Sequence, residues 1–553
     1  MTTVPPQLNG EIALALSGGG YRAAAFHLGV LTYLEALGWK DQLSQLSTVS
    51  GGTFVGAAYT CSLIDGEPTD SFARRFYTFM RTTHLVKLAL HHLAHEAPGV
   101  PSGRKDLIVS AARVYAETFM ARQDGAPRLF REVLEADIPL REVVFNATEF
   151  RHGIAFRFLR SESHRARIGN HYFNVPKEVA GEIQMADIVA ASSCFPGGFE
   201  PLAFPIDFAW PKGKIPELPP SLAKSLETPV ALMDGGVYDN QGMSSLMLMD
   251  RRSSDHLALV IVSDVDQLQD SLYSIPPNVK LGLAGRLTLG WLNVLSLLLF
   301  ATCVATVLVL AIHWRTRGTG DLADVFGYAV PMVLAVTTGL ALTTLRRVVR
   351  SGVDCVPQVG AASWHQLRRI KLEELVNMLN LRATSLLSLT SSVFMARIRR
   401  LVSRTVYQRD GYRGKLIANY IYSLQTPSRF DANLEREGIE PPSIELQAVI
   451  DAAATMPTTL WFDDDQPYRL PSLVAAGQAN LIYKLMIWVQ SQRRDHEGCH
   501  DELWCRLKRD WNVLCKEPYA MVPLEPDDPR PPLPPPRTGG STPESNPPMA
   551  AMS

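Results

Sequence analysis

Neither sign of charge dominates this 553-residue chain, in which 54 Lys and Arg stand against 55 Asp and Glu. With no global field, it has nothing to attract nucleic acid or steer an anionic partner. Cysteine is scarce: the seven, at 61, 194, 303, 355, 499, 505 and 515, are odd in number and scattered. That argues against a disulfide framework and fits a reducing compartment. The opening MTTVPPQLNGEIALAL lacks a basic stretch and a long apolar run, so no secretory signal is expected. Two nucleotide signatures are also missing: no Gly-Lys-Ser/Thr closes a glycine-rich loop, and no G-x-G-x-x-G opens a helix. What the chain has in quantity is apolar residues, 46% of the total. Its mean hydropathy is near zero, high for a soluble enzyme.

Glu11 to Ser17 is a short apolar run ending in three glycines, which reads as a buried parallel strand. Tyr21 to Leu37 carries Ala24, Leu28, Leu31 and Leu34 at helical spacing, and Gly38 stops it. Leu43 to Val49 is a second strand candidate, Ser50-Gly51-Gly52 its sharp turn, and Thr53 to Leu63 a helix rich in small residues. This βαβα order predicts a parallel sheet sandwiched by helices. Val143 to Thr148, Ile154 to Leu159, Pro229 to Met233 and Leu257 to Ser263 add strand candidates, and 71–135 reads as mostly helical.

Two stretches stand apart. Leu287 to Trp314 holds 28 residues without Asp, Glu, Lys or Arg, and Val325 to Leu345 holds 21. Each exceeds the roughly 20 residues needed to cross a bilayer core; the alternative is a pair of buried core helices. Arg315, Arg317, Asp321 and Asp324 cancel in the linker, whereas Lys280, Arg286, Arg346, Arg347 and Arg350 flank the outer ends. The positive-inside tendency then puts both main parts of the chain in the cytoplasm, with Trp291, Trp314 and Tyr328 near the interfaces. Beyond Arg350 the sequence reads as helical over roughly 363–425, 444–455 and 469–493. From about Glu525 it turns Pro-rich and is expected to be disordered.

Ser50, flanked by Gly51 and Gly52 at a strand-to-helix turn, has the pattern of a nucleophile elbow, whose strained backbone needs small neighbours. The following helix points its N-terminal amides at the same spot. The usual first glycine is replaced by Thr48. Gly18, Gly19 and Gly20 leave amides unobstructed at a helix start, suited to a bound phosphate or to the oxyanion of acyl transfer. Loops leaving the carboxyl ends of neighbouring parallel strands should converge on Ser50. Arg22 would add charge or brace the loop. A base is also required. None of the 13 histidines sits in a recognisable triad setting, but Asp234 follows a strand and precedes two glycines, and a carboxylate there could take the Ser50 proton directly.

Together SGGGYRA (17–23), STVSGG (47–52) and Asp234-Gly235-Gly236 resemble the motifs of the patatin-like phospholipases, in the same order. VVFNATEF (143–150) and ADIVAASSCFPGGFEPL (186–202) are weaker family-like stretches. The resemblance covers about 10–265 and resumes around 450–490, as in some bacterial members. It implies a serine lipid acyl hydrolase with Ser50 as nucleophile, Asp234 as base, an oxyanion loop of Gly18, Gly19, Gly20 and Arg22, elbow glycines Gly51 and Gly52, and no metal or cofactor. The departures from its pattern are Thr48, and Ala23 where the glycine motif often ends in glycine.

The expected architecture is an α/β patatin-like parallel-sheet sandwich over 10–280, interrupted by a transmembrane hairpin (287–314 and 325–345). A helical part, 351–520, completes the catalytic domain, and a Pro-rich tail, 525–553, follows. The expected partners are a membrane lipid substrate and the bilayer itself, and the expected location is a bacterial inner membrane with the catalytic part cytoplasmic. The alternatives are an acyltransferase using the same acyl-enzyme, a membrane scaffold with a decayed site, and nucleotide binding by the glycine loop. His91 and His95 share a helical face that could chelate a metal, and Cys499, His500 and Cys505 lack a second pair at zinc spacing. Asp463 to Asp465 reads as a solvated turn. Arg397 to Arg404, RIRRLVSR, is basic and amphipathic, suited to anionic headgroups or to a solvated helix face.

Overall fold

The computed structural model describes residues 8–266, 275–317 and 369–535, with breaks at 123, 253–256, 408–409, 413, 427–429 and 496–499, and scattered residues between 330 and 344. Two compact units result: Met1–Asp270 with Leu389–Ser553, and Ser271–Ser388.

The first unit is built on a ten-stranded sheet. In chain order come β1 (Glu11–Leu16), helix α1 (Gly20–Ala36), β2 (Leu43–Val49) and helix α2 (Gly51–Ile64). β3 (Glu142–Glu149), β4 (Ile154–Arg160), β5 (Ile168–Gly169) and β6 (Asn174–Val175) follow, then helix α3 (Met185–Ser193). β7 (Leu202–Phe204), β8 (Val230–Asp234) and β9 (Leu257–Asp264) precede the second unit. Helix α4 (Met395–Tyr407), β10 (Leu416–Tyr420) and helix α5 (Arg469–Asp495) come after it. The main path is β10-β9-β1-β2-β3-β4-β5-β6, with β8 against β3 and β7 against β8. β10, β9, β1, β2 and β3 run parallel. Helices cover both faces of a central parallel strand, so β2 and β3 are buried at every position and read as continuous runs without alternation.

The parallel βαβα core matches the sequence reading. From β3 onward the sheet turns antiparallel, because β4 and β8 both pair β3 in the opposite sense. Within the stretch expected to be helical, 416–420 is instead the edge strand β10: LIANY follows Gly414 and pairs residue for residue with β9, from Leu416 opposite Val260 to Tyr420 opposite Asp264. Five residues between turns are too few for a helical period to show.

α5 crosses α1 at two glycines. A Cβ on Gly29 would lie 2.1 Å from the Val474 carbonyl oxygen, and one on Gly477 2.1 Å from that of Phe26. α5 is also one of two described helices long and apolar enough to cross a membrane, but 89% of that stretch is buried, so it is a core helix. The other, Leu297–Thr316, has none of its length buried and belongs to the second unit's helix Leu289–Arg317. The predicted second span, 325–345, lies mostly outside the described residues. The Pro-rich segment begins with a contact to the body: Asp528 pairs with Arg81 at 2.6 Å, and 536–553 lie outside the described residues.

Candidate active site

β1 and β2 are parallel neighbours, so the glycine loop after Leu16 and the turn after Val49 leave the same edge of the sheet. Asp234 reaches that edge from an antiparallel strand. Val49 pairs with Asn146 in β3, and the next β3 residue, Ala147, pairs with Asp234. β8 overlaps only the carboxyl end of β3, and that short overlap sets its last residue beside the end of β2.

Ser50 is a buried residue with φ of 50°, a left-handed backbone that side chains other than glycine rarely adopt. Such strain persists only where surroundings enforce it. Here the Ser50 amide donates to Ser192 Oγ at 3.0 Å, and Ser192 in turn donates to the Asn146 carbonyl at 2.7 Å and meets Thr53 Oγ1 at 2.8 Å. The Ser50 side chain lies close enough to the Asp234 carboxylate to lower its pKa. Asp234 also accepts the Gly236 amide at 2.7 Å, and its backbone is pinned by Thr148 Oγ1 and the Cys194 carbonyl. Burial raises its pKa to about 6, against the lowering effect of Ser50 and of the Gly236 hydrogen bond. At neutral pH it remains mostly ionised and can accept a proton.

The glycine loop lies directly over the serine. A Cβ on Gly18 would stand 3.0 Å from Ser50 Cβ and 2.4 Å from Asn240 Oδ1. Gly19 and Gly20 have φ of 148° and 57°, which glycine adopts without steric cost. The Gly18 amide is not available to an oxyanion, because it donates to the Asn240 carbonyl at 3.0 Å. Among the described residues the amides of Gly19 and Gly20 have no partner. Arg22 braces the loop and does not line it: its Nη1 donates to the Met456 carbonyl at 2.8 Å, and burial lowers its pKa to about 10. Gly51 and Gly52 are required by packing. A Cβ on Gly51 would fall 2.1 Å from the Gly20 oxygen, and one on Gly52 2.5 Å from that of Leu16.

Thr48 fits because of a glycine two turns into α2. Its Cγ2 would lie 2.4 Å from a Cβ on Gly56, and its hydroxyl meets Thr53 Oγ1 at 2.9 Å. The bulk added before the serine is removed behind it. Gly56→Ala would by itself favour a helix by about 1 kcal/mol. Against Thr48 it is expected to destabilise by about 1–3 kcal/mol, as overpacked cores do. Thr48→Ser, which keeps the hydroxyl and deletes the methyl, should restore the loss, so chemical denaturation of the four proteins should give a strongly coupled cycle.

Sequence reasoning did not single out Ser192, Asn146, Thr53 or Asn240, which hold the elbow and loop. Ser192 and Asn146 do fall inside the two weaker family-like stretches. A buried network also lies beneath the loop: His27 Nδ1 meets Ser263 Oγ at 2.9 Å and its Nε2 the Ser17 carbonyl at 3.1 Å. Burial lowers the His27 pKa to about 4, so it is neutral and structural. His91 and His95 face each other at 4.6 Å between ring centres, while their neighbour His92 bridges Glu96 and Glu117. Among the described residues no group of three or more metal-ligating side chains forms. Cys499 lies outside them, and Asp463 accepts from Trp461 Nε1 at 2.9 Å within a turn.

The fold is thus an α/β sandwich on a largely parallel central sheet, with a strained serine at the end of its second strand. Residues 14–247 match the family model of the patatin-like phospholipases, so this stretch of the chain is similar to a domain of that family. Among solved structures the chain is similar to VipD from Legionella pneumophila, with 11% identity, 94% of this chain and 92% of that chain covered, and a TM-score of 0.23. At that score the likeness carries no structural inference. No curated protein matches the chain.

Proposed function

We propose that the protein is a serine lipid acyl hydrolase, of phospholipase A or lysophospholipase type, that cleaves fatty-acyl esters through a Ser50 acyl-enzyme. The observation that carries this reading is the strained Ser50, set beside a buried Asp234 whose pKa it lowers, beneath a glycine loop in which the Gly19 and Gly20 amides have no partner among the described residues. Ser50 Oγ attacks the ester carbonyl carbon as Asp234 takes its proton. The tetrahedral oxyanion is held by the Gly19 and Gly20 amides. Collapse breaks the ester bond, and the departing alcohol recovers the proton from Asp234. Water, deprotonated by Asp234, then attacks the acyl-enzyme, and collapse of the second tetrahedral intermediate breaks the bond to Ser50 Oγ, which takes the proton back from Asp234 as the fatty acid leaves.

Fatty-acid release from phospholipid and short-chain esters tests this directly. The wild type should release fatty acid and be labelled at Ser50 by a fluorophosphonate. Ser50→Ala should do neither, and release undiminished in that variant would refute the proposal. The pH profile should have one acid limb. The base works only as carboxylate, so kcat/KM should climb as pH rises through about 6 and level off above it. A limb near the ordinary carboxylate range would remove Asp234 from the role.

The proposal includes anchorage of the chain in a bilayer by 287–345, with catalytic residues on the cytoplasmic side. Its support is the uncharged length of both segments and the exposure of Leu297–Thr316. A tag within 315–324 is expected to react only with reagents outside the cytoplasm, and cytoplasmic reactivity would exclude the hairpin.

A further inference from the structure

The basic stretch 397–404 is neither wholly solvated nor wholly buried. On α4, Met395, Ile398, Arg399 and Val402 turn toward the sheet, while Arg397, Arg400, Leu401 and Arg404 are exposed. The second set follows helical spacing of three and four, so it forms one face. Just before it, Val393 and Phe394 are 52% and 49% exposed, and Leu401 is 55% exposed.

The inward side fixes where this helix sits. Arg399 Nε lies 3.0 Å from Asp264 Oδ2, and the same guanidinium also pairs with Asp266. Asp264 ends β9, the parallel neighbour of β1, and accepts Gln241 Nε2 at 2.8 Å. Val265, the next residue, would touch a Cβ on Gly19 at 2.7 Å. At the start of α4, Met395 Cε would come within 2.7 Å of a Cβ on Gly236, whose amide binds Asp234. The helix is therefore clamped between the two sides of the candidate active site.

Its outer face pairs three arginines with large apolar side chains, and the helix Met395–Tyr407 contains no acidic residue. Among the described residues none of Arg397, Arg400 and Arg404 pairs with a carboxylate. Uncompensated cations at this spacing complement a surface that presents anions in a layer over hydrocarbon. That is the arrangement of an interfacial amphipathic helix, whose apolar side chains sink into the headgroup boundary.

We propose that residues 393–404 are an interfacial docking element, which seats on anionic phospholipid headgroups and holds the mouth of the Ser50–Asp234 site against the lipid surface. The inference rests on the hydrolase reading for its purpose, and on the exposed arginine face for its chemistry. Each arginine near an anionic leaflet contributes about 1 kcal/mol, so removing three weakens seating on the order of a hundredfold at low ionic strength. Salt weakens it further by screening.

The test uses the full chain in nanodiscs of phosphatidylcholine alone or mixed with phosphatidylglycerol. An environment-sensitive fluorescent amino acid at Leu401 should shift to the blue only where phosphatidylglycerol is present, and added salt should reverse the shift. The same probe at Ile444, which is 83% exposed on another helix of the unit, should not respond. Identical emission at Leu401 in both lipids would overturn the proposal. In parallel, R397Q/R400Q/R404Q should raise KM on phosphatidylglycerol-containing micelles by at least about tenfold while kcat/KM for a monomeric water-soluble ester stays at the wild-type value. Unchanged KM on those micelles would also overturn it. If the wild type cleaves no soluble ester, the hydrolase reading fails, and the Leu401 emission still decides the docking element by itself.

Discussion

Asp234→Asn is expected to lower kcat/KM for a soluble ester by about 10³–10⁴-fold, near the loss in Ser50→Ala, while leaving the fold intact. Removal of a positioned general base costs about 10²–10⁴. The upper part of that range applies because Ser50 acts on the Asp234 carboxylate directly, and among the described residues no histidine is hydrogen-bonded to Asp234. Asparagine has the same shape and can still accept the Gly236 amide through its oxygen, so the local turn should survive. It cannot take a proton. It also removes a carboxylate that burial disfavours, which makes the variant as stable as the wild type or more so near neutral pH. The sign follows from the raised pKa: a carboxyl held near 6 in the fold, against about 3.9 when unfolded, loses stability as pH climbs between those values. The double variant should be little worse than either single one, since the two groups act as a unit. Steady-state kinetics with thermal unfolding checks all three. Asp234→Asn with more than a tenth of wild-type activity would end the dyad reading.

The parts of this site legible in the sequence are those where the backbone itself demands a residue type. Gly51, Gly52 and Gly18 each face another backbone or a buried amide at less than 3 Å, so their motif spacing is imposed by sterics and can be read without a structure. Strand β1 is legible for the related reason that burial on both faces leaves an uninterrupted apolar run, Ile12 to Leu16. Side chains that work through tertiary contacts leave no such trace. Ser192 locks the elbow from 142 positions away, and nothing in its neighbours' spacing marks it among four nearby small residues. Arg399 lies within a run of arginines whose inward and outward members differ only by helical phase, and its partners Asp264 and Asp266 stand 135 and 133 positions earlier in the chain. The Gly18 amide illustrates a third reason: the sequence shows that an amide is unobstructed, but only the path of Asn240 shows that it has a partner. Likewise Thr48 looked like a departure, while its compensation, Gly56, stood eight residues on.

Gly51→Ala should be among the most damaging single-methyl additions in the protein. The added carbon would lie 2.1 Å from the Gly20 oxygen and 2.6 Å from the Gly20 nitrogen. Both are backbone atoms of the loop that covers Ser50, and that loop is held from behind, since Tyr21 donates to the Thr459 carbonyl at 2.8 Å and Gly18 to that of Asn240 at 3.0 Å. Neither wall can retreat without moving the site. Overpacking of this kind costs about 3 kcal/mol or more where no flexible side chain can yield. Any relief must come from displacing Gly20, and a shift of about 1 Å at a reacting centre costs on the order of 10² in rate. Gly66→Ala supplies the contrast: its φ is 63°, but a Cβ there would meet nothing within 4 Å. That variant pays only for backbone strain, of order 1 kcal/mol, and should keep full kcat/KM. Denaturant midpoints and ester kinetics on the two alanine variants separate the effects. Crowding at Gly51 should cost both stability and rate, whereas strain at Gly66 should cost stability alone. Wild-type kcat/KM in Gly51→Ala would mean that the glycine loop can move away from Ser50 without consequence, and the oxyanion role of Gly19 and Gly20 would fall with it.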